Sequence, residues 1–147
     1  MLSAENAAFF NPAVFHGAGT NHSKDVRRMA NLLQVSSVHV YLTYPFVLSW
    51  SFIEAMACGC LIIGSATPPV LEVLRDGSNG LTVDFFAYKQ LSSRIEAALA
   101  QPGPMQALRK AARVTAVKQF DLNRLLLPRW NRLFDDLVNG RRPKSAD

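Results

Sequence analysis

Ser51-Phe52-Ile53-Glu54-Ala55-Met56-Ala57-Cys58-Gly59-Cys60 joins one acid to a run of apolar and small residues and stops at a glycine between two cysteines. Ahead of it, Val38 to Leu48 reads as a buried strand with its exit loop. Behind it, Leu61-Ile62-Ile63-Gly64 reads as a second strand. Gly59 is the residue type that closes a helix. Strand, tight loop, short helix and strand make a βαβ unit, and open α/β sheets bind ligands where such loops leave the carboxyl ends of the strands. A lone carboxylate on the helix of an oily unit, Glu54, is therefore the first candidate for chemistry.

Working outward, the same alternation continues. Ala13–His16 is a short strand candidate that ends in Gly17-Ala18-Gly19. Val26, Met29, Ala30 and Leu33 recur at helical spacing behind Ser23, a suitable N-cap. Pro68-Pro69 suits a helix start, with Val70, Val73 and Leu74 as its oily face. Asp76-Gly77 and Asn79-Gly80 are turn pairs, and Leu81-Thr82-Val83 is a strand. Tyr88–Ala100 is an amphipathic helix with Leu91, Ile95, Ala98 and Leu99 inward. Gln101–Pro104 breaks it, a further helix runs to Phe120, and Asp121 caps a last helical region that Pro128 kinks or restarts. The class is α/β with a mainly parallel sheet and flanking helices. The expected division is a Rossmann-like unit over residues 1–120 and a C-terminal helix with a mobile basic tail over 121–147.

Composition narrows the function. The 147 residues are 49% hydrophobic and 18% charged, which is a globular balance with room for one core. No apolar run approaches the roughly 20 residues needed to span a bilayer, and no signal peptide is read at Met1-Leu2-Ser3-Ala4-Glu5, which favours the cytoplasm. The net charge of +5 is scattered over Arg27-Arg28, Arg109-Lys110-Arg113 and Arg141-Arg142-Pro143-Lys144 rather than clustered with aromatics, so nucleic acid is not an expected partner. A weak attraction to an anionic membrane surface is compatible with it. Cys58 and Cys60 read as reduced core thiols. His16, His22 and His39 lack ligand spacing, so no metal is expected, and Trp50 and Trp130 read as packing residues.

Glu54-Ala55-Met56-Ala57-Cys58-Gly59, followed by Glu72-Val73-Leu74-Arg75-Asp76-Gly77-Ser78-Asn79-Gly80-Leu81-Thr82-Val83, resembles the C-terminal domain of group 1 (family 4) glycosyltransferases of the GT-B fold. Tyr44-Pro45-Phe46-Val47-Leu48-Ser49-Trp50-Ser51 resembles a bacterial branch of that family. The resemblance covers about residues 14–100. It implies that Glu54 is the second acid of the E-x7-E motif, which binds the ribose hydroxyls of a sugar nucleotide; a carboxylate can accept from both. It implies that Phe46, Val47, Leu48 and Ser49 form the loop and first helical turn beneath the diphosphate, where helix N-termini attract phosphate oxygens. It implies that backbone near Gly17 meets the base. Residue by residue, these readings compete with plainer ones. Ser51 and Glu54 also fit a capping box, Ser49 also fits an N-cap, and Gly17-Ala18-Gly19 also fits a turn.

The chain departs from the family pattern in two ways. The first acid of the motif is replaced by Phe46, and the neighbouring glycines by Val47 and Ser49. The strand and helix that carry the diphosphate-binding Arg and Lys, and the acceptor-binding domain before them, have no counterpart in this sequence. By analogy the central strand of the sheet is then missing, which leaves an unpaired edge. The resemblance implies a retaining transferase that moves a sugar from a nucleotide diphosphate donor, in polysaccharide or glycolipid synthesis, without a cofactor. This chain alone is expected to be weakly active or inactive. The expected partners are the donor, and either an acceptor domain or a second copy. The rival reading is a non-catalytic remnant or interaction module that associates through the sheet edge.

Overall fold

Ile62, Ile63, Gly64 and Ser65 are all buried, as a strand covered on both faces must be. The computed structural model describes residues 22–44 and 47–141. Ala13–His16, Gly17, Phe46 and the Arg142–Lys144 tail lie outside the described residues, as does the side chain of Val26. Within them, β2 (Ile62–Ser65) is the middle strand of a parallel sheet in the order β1-β2-β3, with β1 at His39–Tyr41 and β3 at Leu81–Val83. His39 stands opposite Ile62 and Tyr41 opposite Gly64, while Ile63 faces Leu81 and Ser65 faces Val83. The sheet edges among the described residues are therefore β1 and β3.

The helices are α1 (His22–Val35), α2 (Trp50–Ala57), α3 (Pro68–Leu71), α4 (Tyr88–Ala100), α5 (Pro102–Phe120) and α6 (Leu127–Val138), with a π-helical turn at Leu122–Leu126. The core gathers Ala30 and Leu33 of α1, Phe52, Ile53, Ala55, Met56 and Ala57 of α2, Ile62 of β2, and Ala112 and Ala116 of α5. The last two are one turn apart and fully buried, and their small side chains let α5 lie close against α2.

Several expectations are corrected. α1 includes Ser23 rather than starting after it. Leu99 is 56% exposed: Ala98 takes the inward place, and a neighbour turned about 100° around the helix faces water. The break after α4 is Gln101 alone, because Pro102 can occupy the first turn of α5, where a missing N–H costs nothing. Trp50 and Trp130 each keep about half of their surface exposed. Trp130 stacks on Phe134 at 5.8 Å, on a helix with no buried residue. Asp121 does cap: its Oδ1 accepts from the Arg124 amide at 2.9 Å.

The turn between α3 and β3 is held by one buried side chain. Asn79 accepts from the Arg75 amide at 2.7 Å and donates to the Val73 carbonyl and to Thr115 Oγ1 of α5. Gly77 has φ of 68°, which favours glycine. Asp76 binds Arg94 of α4 through both oxygens and accepts from the Thr82 amide.

Candidate functional site

The segment joining β1 to α2 is fastened at both ends by side chains. At its start, Ser65, fully buried at the end of β2, accepts from the Thr43 amide at 3.1 Å and donates to the Thr43 carbonyl at 3.0 Å. One hydroxyl thus extends the β1–β2 pairing past the last strand residue. At its end, the Tyr41 hydroxyl accepts from the Ser49 amide at 2.9 Å, while the Tyr41 ring packs on Phe52 at 4.9 Å. These two fastenings bring the amino end of α2 to the carboxyl end of β1.

Ser49 is the N-cap of α2. It has extended φ and ψ of −74° and 143°, and its Oγ accepts from the Ser51 amide at 3.3 Å and shares a 2.8 Å hydrogen bond with Ser51 Oγ. Val47 is exposed and Leu48 is half-buried against the core. The Ser49 and Ser51 amides are already engaged within the protein. An approaching anion therefore meets two serine hydroxyls and the positive end of a helix dipole rather than a row of open amides.

Glu54 lies five residues past the cap, about 7–8 Å further along the axis. It is half-buried between the buried Ile53 and Ala55. The Ser51–Glu54 capping box is absent, because Ser51 sits inside the helix and gives its amide to Ser49. The stripe of α2 that carries Glu54 also carries Trp50 and leads on to the C-cap Cys58, each four residues away. Of the six residues singled out from sequence, Val47, Leu48 and Ser49 form one loop and cap, with Glu54 one turn beyond. Gly17 and Phe46 lie outside the described residues. Sequence reading missed Tyr41, which it placed inside an apolar strand, and Ser65, which it placed just after one; β2 in fact runs through Ser65. The available signal was their position as polar groups at the last residues of two adjacent parallel strands.

Cys58 and Cys60 are free and buried at the far end of α2, and burial pushes both thiols up to about 12. The Cys60 thiol donates to the Leu33 carbonyl. They are packing groups, protonated near neutral pH. No cluster of three or more metal-ligating side chains forms among the described residues, and none of their helices is long and apolar enough to cross a membrane.

The sequence profile of the family Glycosyl transferases group 1 matches residues 18–115. Sucrose-phosphate synthase from Thermosynechococcus elongatus is similar with a TM-score of 0.71 and 26% identity, over 77% of this chain and 28% of its own. HepE of Anabaena, crystallised in complex with UDP-glucose, is similar with a TM-score of 0.65 and 16% identity, over 76% of this chain and 30% of its own. The C-terminal domain of the group 1 glycosyl transferase LpcC from Francisella tularensis gives 0.59 and 14%, over 74% of this chain and 53% of that domain. No curated protein matches in sequence. The chain thus spans under a third of the first two proteins, and its parallel α/β layers are those of a GT-B C-terminal, Rossmann-like unit. It belongs to the glycosyl transferases group 1 family.

Proposed function

We propose that this chain is the donor-binding part of a retaining GT-B glycosyltransferase, and that it holds a nucleotide diphosphate-sugar at the carboxyl end of β1. The observation that carries this reading is the placement of Glu54: a carboxylate on the second turn of α2, inside the family match, too far from the helix start to serve as a cap. Glu54 accepts from the ribose hydroxyls. Ser49, with Val47, Leu48 and Phe46 around it, borders the diphosphate, and the backbone near Gly17 faces the base. The UDP-glucose complex of HepE supports a nucleotide-sugar as the ligand class.

With Phe46 in place of the first acid, charge developing at the donor sugar has no carboxylate from this position to meet it. The chain by itself is then weakly active or inactive. Acceptor contacts, and a place in polysaccharide or glycolipid synthesis on the cytoplasmic face of a membrane, belong to an acceptor domain or a second copy that completes the cleft. NMR titration with UDP, GDP and ADP tests the donor site. Shifts gathered on Ser49, Glu54 and Gly17 are the expected result, and an unchanged spectrum with all three at millimolar concentration overturns it.

A second reading has its own observation. Among the described residues β1 is an edge strand, with Val40 and the following Leu42 exposed, and such an edge can pair with another copy. Light scattering decides this: a dimer supports self-association through β1, and a clean monomer removes it.

A further inference from the structure

The carbonyl end of α2 is finished by two side chains from α5. The last turn satisfies its own carbonyls in part. Glu54 O accepts from the Cys58 amide at 2.9 Å, Met56 O from Gly59 at 2.9 Å, and Ala55 O from Cys60 at 3.1 Å, with Gly59 at a φ of 73°. That is a Schellman turn, and it leaves the carbonyls of Ala57 and Gly59 outside its ladder. Arg113 Nη1 donates to Ala57 O, and Arg109 Nε donates to Gly59 O at 2.7 Å. The two arginines stand one turn apart on α5, partly buried, with the fully buried Ala112 between them. A helix carboxyl end attracts cations, and a planar guanidinium fixes direction as well as charge.

We propose that Arg109 and Arg113 are positioning residues for the donor site. By gripping the last carbonyls of α2 they set its axial position and rotation, and so set where Glu54 and Ser49 stand at the other end. The helix is eight residues long, about 12 Å, short enough to move as a rod. Neither arginine touches the donor; both act through the α2 backbone. The inference rests on the donor-site reading above and adds to it the element that keeps the site in register. Ser49 has its own fastening to Tyr41, so the helix is tied at both ends, and Glu54 between them depends on both ties.

The test uses the 147-residue chain, with Arg109→Lys and Arg113→Lys singly and Arg109→Ala/Arg113→Ala together. Folding is checked by circular dichroism, and all measurements are made well below the melting temperature. Lysine keeps a charge near the carbonyls but loses the directed fork, so the lysine variants stay folded and answer the question even where the alanine pair does not fold. The expected result is twofold. In ligand-free amide spectra, Ser49 and Glu54 shift although the substitutions lie at the far end of the helix. In titrations, UDP affinity falls about fivefold or more. A melting temperature that drops while those amides and the affinity stay unchanged confines the arginines to stability and overturns the proposal. An unaltered chain that binds no UDP overturns the donor-site reading instead, and the amide spectra of the lysine variants then decide the positioning on their own.

Discussion

Ser65 stands in for a strand residue that β1 does not have. Its hydroxyl serves both backbone groups of Thr43, so Ser65→Ala orphans a donor and an acceptor at once. We expect a loss of about 1–3 kcal/mol, read as a lower urea midpoint at constant slope. Gly80 is constrained by space: a Cβ there would run into Leu74 Cδ1 and lie 3.1 Å from the Ile62 carbonyl. Gly80→Ala should destabilise by about 1–3 kcal/mol in the same assay, and a neutral result would show that Leu74 yields freely. Glu54→Ala removes the proposed ribose acceptor. Hydrogen bonds to a charged group contribute about 1.5–3 kcal/mol, so nucleotide affinity should fall at least tenfold, measured by calorimetry. Glu54 was legible in the sequence because an acid inside an apolar helix is conspicuous. Tyr41 was not, because its hydroxyl gains meaning only when the chain returns eight residues later to offer the Ser49 amide.

α2 is the element on which the candidate site depends. Ser49 caps one end and two guanidiniums cap the other, so the helix is held by groups outside its own sequence. Ser49→Ala should cost about 1 kcal/mol of stability. Elements whose signals are local were readable. Tyr88–Ala100 shows its period and bounds directly, and Gly59 marks the end of α2. Elements whose limits depend on packing were misplaced by a few residues, as at Ser23 and Pro102. The roles of Arg109 and Arg113 could not be read, because a basic pair on an amphipathic helix looks like a solvated face until the fold places α2 beside it. The segment ahead of α2 was legible as a loop that leads into a helix, but the engagement of the Ser49 and Ser51 amides by Tyr41 and Ser49 depends on the β1 ending.

Across the molecule, acid should lower the stability of this protein in two steps. Burial holds His39 below its ordinary 6.5. The unfolded chain then takes up more protons as pH drops past that value, and stability falls with it. Partial burial raises the Asp76 carboxyl, but hydrogen bonds from Arg94 and Thr82 outweigh that and hold it below 3.8. Its contribution is present above that value and disappears as pH falls through the folded-state pKa. Urea midpoints measured from pH 8 to pH 3 should decline first below about 6.5 and again below about 3.8. His39→Gln should flatten the first decline; an unaltered first decline would assign it to another group. The grip of α5 on α2 also bears on how the protein is made. Arg109 and Arg113 follow the carbonyls they hold by 50 and 56 positions. During translation the nascent Glu54 helix therefore emerges with its last turn unfinished, and the ribosome must deliver some fifty further residues before that turn is sealed.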